Sequence, residues 1–208
     1  MPNWSQVLHE LQSEELERAR RHESALDFIR RKYLRTLSEY TNRNTICYYS
    51  AWLSKPYAFG MDIVDEDING FMMAVHKMDR SKGLDLFLHT PGGEIAAAES
   101  LVHYLRKMFG NDIRAIVPQI AMSAGTMISC ACKSVVMSKH SNLGPIDPQI
   151  AGIPAAAVQE EFERAIKEIN EDQGRLAGWH FILSNYTPPY LAKCENAGQW
   201  SKTLVAQA

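Results

Sequence analysis

Apolar positions near the start of the chain recur at helical spacing: Leu8, Leu11, Leu16, Ala19, Leu26, Ile29, Tyr33 and Leu37. That periodicity predicts one or two helices across residues 5–38. The pattern then changes. "TICYYSAWL" has the β-branched and aromatic content of a strand, and "DEDINGFMMAVHKM" reads as a helix opened by an acidic cap at Asp65 or Asp67. "LDLFLH" predicts a strand, "EIAAAESLVHYLRKM" an amphipathic helix, and "IRAIVP" a short buried strand. "SAGTMISCA" looks helical and "KSVVMS" strand-like, with a loop marked by Gly144, Pro145 and Pro148. A long helix is predicted from Ala155, with Val158, Phe162, Ala165, Ile166 and Ile169 as its buried stripe. "NYTPPYLAKCEN" breaks and restarts helical structure. Strands alternating with helices predict an α/β fold.

Composition narrows the class. At 208 residues, 46% hydrophobic and 22% charged, the chain reads as one globular domain, with the N-terminal helices as an appendage. The formal net charge of −2 gives no general attraction to nucleic acid or an anionic membrane. The polar face of the N-terminal helices mixes arginines with Glu14, Glu15, Glu17 and Glu23. Mixed signs favour a solvated face, or one packed on a partner subunit, over a nucleic-acid patch. No apolar run is long enough for a transmembrane segment, and no signal-peptide pattern is visible. The four cysteines, Cys47, Cys130, Cys132 and Cys194, form no CxxC pair. They read as reduced thiols of a cytosolic protein, with Cys130 and Cys132 as core residues rather than metal ligands. No metal and no cofactor is expected.

Two stretches could carry chemistry. In "LFLHTPGGEIAAAE" a strand ends, Gly92 and Gly93 follow, and a helix begins. Backbone N–H groups at that point can receive an anion or a developing oxyanion, although Pro-Gly-Gly is also an ordinary strand-to-helix turn. In "AMSAGTMISC", Ser123 follows a strand-like run and precedes Ala124 and Gly125. Read alone it is either a helix N-cap or a nucleophile at a helix start. His89 ends the strand before the glycine turn, and so either lines a substrate groove or simply ends a strand. His140 follows "KSVVMS", and Asp147 lies between Pro145 and Pro148.

The combination of "HTPGG", a helix, a short strand and a small-residue serine turn about 30 residues on resembles the Clp-protease/crotonase superfamily. Within it, the resemblance is to the signal-peptide-peptidase-like serine peptidases. "HTPGG", "AMSAGTMI" and "MSKHSNLGPIDPQI" together resemble the serine dehydrogenase proteinase family. The resemblance runs from about Asn44 onward. It implies a Clp/crotonase-like α/β fold of repeated ββα units behind an N-terminal helical extension. The expected division is residues 1–43 for the extension and 44–208 for the peptidase domain. The strand that usually closes such cores has no counterpart, so an early C-terminal end is expected.

The resemblance implies a serine peptidase. Ser123 would be the nucleophile, with Gly93 and Ala124 as oxyanion donors and Gly92 and His89 beside the substrate. A serine hydroxyl needs a base. Clp-type members use histidine and aspartate, but the loop "SNLGPIDPQ" departs from that pattern. "AIKEINEDQGR" resembles the lysine-bearing helix of the other branch, which nominates Lys167 and a Ser-Lys dyad. The residues also allow an exposed Glu163–Lys167 pair. His140 and Asp147 are the alternative bases. Further expectations are a peptide or protein substrate, a homo-oligomer, and a cytoplasmic location with membrane association only through a partner. The alternatives are a crotonase-like acyl-CoA enzyme and a catalytically inactive oligomeric scaffold of the same fold.

Overall fold

The computed structural model describes residues 2–206 apart from 56 and 151. The N-terminal segment forms two helices, α1 (Trp4–Arg20) and α2 (Ala25–Thr41). Each begins where a side chain caps the first turn: Asn3 accepts from the Gln6 N–H, and Ser24 accepts from the Asp27 N–H. α2 ends at Asn42, whose left-handed backbone (φ 52°) stops the helix. Only Ile29 of these two helices is buried; of their apolar stripe, Leu8, Leu16, Ala19 and Leu26 are exposed and Leu11, Tyr33 and Leu37 half-buried.

The body alternates as the sequence pattern requires. It runs β1 (Asn44–Tyr49), α3 (Asp67–Val75), β2 (Leu84–His89), α4 (Ile95–Phe109) and β3 (Ile113–Val117). Then follow β4 (Ile120–Ala121), α5 (Ala124–Cys130), β5 (Ser134–Met137) and β6 (Asn142–Leu143). β1, β2, β3 and β5 form one parallel sheet in that order. Each main strand is followed by a short crossing segment. These segments pair at Ile63 with Gly93, at Thr90 with Ala121, and along β4 with β6. Main strand, short crossing strand and helix therefore repeat, which is the ββα plan expected of a Clp/crotonase-like fold.

β2 is the buried centre. Leu84, Leu86 and Leu88 are fully buried, and Ala97, Ala98, Leu101, Leu105 and Phe109 of α4 belong to the same core cluster. Emptying one such leucine site to alanine costs about 2–5 kcal/mol. The alternate position Asp85 is also fully buried and is held by two guanidinium groups. Arg43 Nε approaches at 2.7 Å and Arg114 Nη2 at 2.6 Å. Arg43 also bonds Asp112 and the Leu84 carbonyl. It stands between α2 and β1, so the N-terminal helices are tied to the sheet through this residue.

The C-terminal part contains the strands β7 (Gln149–Ile150) and β8 (Ile153–Pro154), then α6 (Ala155–Glu171), α7 (Leu176–Leu183) and α8 (Tyr190–Ala206). Ala155, Val158 and Cys194 form a small second core.

Several details differ from the sequence expectation. The strand predicted from "TICYYSAWL" stops at Tyr49. Glu66, not Asp65 or Asp67, is the cap position of α3; Asp67 instead accepts from the Val64 N–H and the Tyr48 hydroxyl. Ile166 is exposed, because the α6 stripe turns inward through Ala155, Val158 and Ala165. Cys130 and Cys132 are half-buried, and burial pushes the Cys132 thiol up to about 12.

Candidate active site

The site is built where two of the crossing segments meet. β2 ends at His89, and Thr90 continues the chain onto β4: the Thr90 N–H donates to the Ile120 carbonyl, and the Met122 N–H donates to the Thr90 carbonyl. The Thr90 hydroxyl oxygen accepts from the Gly92 N–H at 3.1 Å. Beyond it, the Ile63 N–H donates to the Gly92 carbonyl at 2.7 Å and the Glu94 N–H donates to the Ile63 carbonyl at 2.9 Å. Both neighbours of the Gly93 N–H are therefore bonded to Ile63. The Gly93 N–H itself has no acceptor among the described residues.

This turn requires glycine. Gly92 has φ +105° and Gly93 φ +153°, which side chains rarely adopt. A methyl group on Gly92 would stand 2.8 Å from Ser123 Cβ and 3.2 Å from the Ala124 nitrogen. The two motifs that stood about 30 residues apart in sequence are in contact.

Ser123 has φ 49° and ψ −114°, a backbone state costly for any residue with a Cβ. It occupies the cap position of α5, yet its side chain makes no capping bond. That removes the quiet explanation of this serine. Ser123 instead lines a groove of about 770 Å³, together with Gly93, Met122 and Asp147 among others. The Ala124 N–H, at the start of α5, has no acceptor among the described residues. The turn is braced from behind by Thr126, whose hydroxyl donates to the carbonyls of Ala121 and Gly144, each at 2.9 Å. The same bonds bring the Gly144–Pro148 loop to the groove.

The other candidates are spread out. Asp147 lines the groove. His89 is buried at the end of β2 and does not line the groove; its ring is stacked on Tyr49 at 4.9 Å and tilted against Trp52 at 6.4 Å. Desolvation holds the His89 pKa below its ordinary value. His140 sits on an exposed turn after β5, 3.2 Å from the Ser138 hydroxyl. Lys167 is exposed on α6 and does not line the groove. The expected Glu163–Lys167 pair does not form among the described residues. The α6 pairs are Arg164 with Glu161 and Glu168, and Arg175 with Glu168.

The Ser123 turn thus sets a strained, uncapped serine beside two N–H groups that have no acceptor among the described residues. The family model of ClpP-like SDH-type serine proteinases matches residues 18–177. The chain belongs to that family. It is also similar to two uncharacterized proteins of Methanocaldococcus jannaschii. One is 33% identical over 152 residues, covering 71% of this chain and 52% of the relative. The other is 32% identical over 110 residues, covering 53% of this chain and 37% of the relative. The chain thus spans about half the length of these relatives or less. Among solved structures it is similar to the ClpP protease catalytic domain from Plasmodium falciparum, with a TM-score of 0.34 and 11% identity over 47% of this chain and 56% of that one. No helix among the described residues is long and apolar enough to cross a membrane.

Sequence reasoning missed Asp62, Glu94 and Trp200, which also line the groove. They come from three separate segments: Glu94 directly follows the glycine pair but is not distinguished by that pattern, and no local motif marks Asp62 or Trp200. Thr90 was visible inside "HTPGG", but its role as the acceptor of the Gly92 N–H depends on the folded turn.

Proposed function

We propose that the chain is a serine endopeptidase in which Ser123 is the nucleophile and the N–H groups of Gly93 and Ala124 form the oxyanion hole. The observation that carries this reading is the contact of the Gly92–Gly93 turn with the strained Ser123–Ala124 turn. An extended peptide would lie along the groove and present its carbonyl to Ser123. Ser123 Oγ attacks the carbonyl carbon and its proton passes to the base. The two N–H groups receive the negative oxygen. As the C–N bond breaks, the base returns the proton to the departing amine. Water then cleaves the acyl-enzyme. An oxyanion donor of this kind contributes about 3–4 kcal/mol to lowering the barrier.

Lys167 is the base this reading assigns, because its helix resembles the lysine-bearing helix of the Ser-Lys branch. Its amine lies outside the groove of the single chain. A dyad therefore requires α6 to be brought over the groove, within one chain or from a second copy in a homo-oligomer. Asp147 offers a second reading, supported by its place in the groove lining beside Ser123.

A fluorophosphonate probe tests the nucleophile. Wild type labels and Ser123→Ala does not; labelling that persists in Ser123→Ala removes Ser123 as the nucleophile, and labelling that fails in both removes this reading and leaves the scaffold alternative. Turnover lost in Lys167→Ala but kept in Asp147→Asn assigns the lysine, and the reverse assigns the aspartate.

A further inference from the structure

We infer that the Ser123 groove selects peptides carrying lysine or arginine beside the scissile bond. This deepens the peptidase reading and rests on it, since the groove is identified by Ser123 and not by its charge. Three carboxylates line the groove, those of Asp62, Glu94 and Asp147, and no lysine, arginine or histidine does so among the described residues. None of the three carboxylates has an ion-pair or hydrogen-bond partner among the described residues. Other acids near the site are engaged: Asp67 by Tyr48 and Val64, and Glu99 by Trp200. Glu94 holds the cap position of α4 without a capping bond, so its side chain is not spent on the helix.

Uncompensated charge of one sign in a concave site concentrates its field and favours a counter-charge there. The rest of the lining suits a long cationic side chain. Val64, Ile95 and Met122 offer apolar contact for an aliphatic stem. Trp200 forms one wall, and its indole N–H is bonded to Glu99 at 3.1 Å, which holds the ring in place. An aromatic face near carboxylates receives a guanidinium or ammonium group well. A glutamate side chain meets repulsion in the same place, and norleucine supplies the stem without the charge.

The test separates binding from chemistry. Three fluorescent peptides, identical except for arginine, norleucine or glutamate at the position flanking the cleavage bond, are titrated onto Ser123→Ala protein and followed by anisotropy. The arginine peptide binds about tenfold or more tightly than norleucine, the glutamate peptide binds weakest, and the preference shrinks as salt rises. Asp62→Asn combined with Glu94→Gln collapses the arginine-to-norleucine ratio. Equal affinity for the three peptides, or a ratio unchanged in the double variant, overturns the inference. Failure of fluorophosphonate labelling in the wild type strikes the peptidase reading instead, so the two failures are distinct.

Discussion

Gly92 and Ser123 are packed so closely that a methyl group on the glycine would meet the serine Cβ at 2.8 Å and the Met122 carbonyl oxygen at 2.7 Å. Neither obstacle is the far end of a flexible side chain. Gly92→Ala must therefore push the Ser123 turn away, besides straining a backbone at φ +105°. The expected result is a fall of about 100-fold or more in the rate of fluorophosphonate labelling, as for small displacements of a reacting group. A labelling rate within a few-fold of wild type would show that the glycine turn does not position the serine.

Ser123 itself stores strain. Its φ of 49° and ψ of −114° suit glycine, so Ser123→Gly should stabilise the fold by about 1 kcal/mol while abolishing labelling. Denaturant melts of the two proteins check this. A less stable glycine variant would mean that the serine side chain supports the fold in some way its geometry does not show.

Asp85 tests the anchoring of the sheet. Its carboxylate is fully buried between Arg43 and Arg114. Asp85→Asn strips Arg114 of its counter-charge and leaves Arg43 with Asp112 alone, and breaking such a buried pair costs about 3–5 kcal/mol. Urea unfolding midpoints report the loss. Reverting part of it with a second change, Arg114→Met, would show that the stranded cation is the cause.

His89 ties stability to acidity. Burial lowers its pKa from 6.5, so the folded protein keeps the ring neutral where the unfolded chain already binds a proton. Proton uptake by the unfolded chain favours unfolding. Stability is therefore fully present above about pH 6.5 and declines as pH falls toward the lowered folded value. His89→Phe keeps an aromatic ring between Tyr49 and Trp52 and removes this dependence. Melting temperatures from pH 7.5 to about 5.5 should fall less steeply in the variant; identical slopes would clear His89 of the effect.

Much of this was legible in the chain itself. "LDLFLH" became β2 with no change of boundary, because its alternate leucines Leu84, Leu86 and Leu88 all enter the core. The glycine and serine turns were visible as motifs, since each needs small residues at adjacent positions. Their contact was not visible, because Thr90 and Ala121 bridge only in the folded sheet. The strain at Ser123 is likewise imposed by the fold, as no local preference for that backbone exists in serine. The spacing from Ser123 to Lys167 along the chain says nothing of their separation in space, and the groove is lined by Asp62 and Trp200 instead. Ile166 illustrates the same limit: it continues a helical stripe in sequence but faces solvent, because Ala155, Val158 and Ala165 turn the inner face of α6 another way.

The helix behind the serine has a final consequence. Six of the seven residues of α5, Ala124 to Ser129, are buried, and Ala124 and Ile128 belong to the main core. The serine turn cannot fray by itself on warming, because any release of α5 opens the centre of the molecule. Loss of labelling on heating should coincide with global unfolding, and a thermal inactivation curve should overlay the melting curve, with no cooler step in which the fold survives and its chemistry fails.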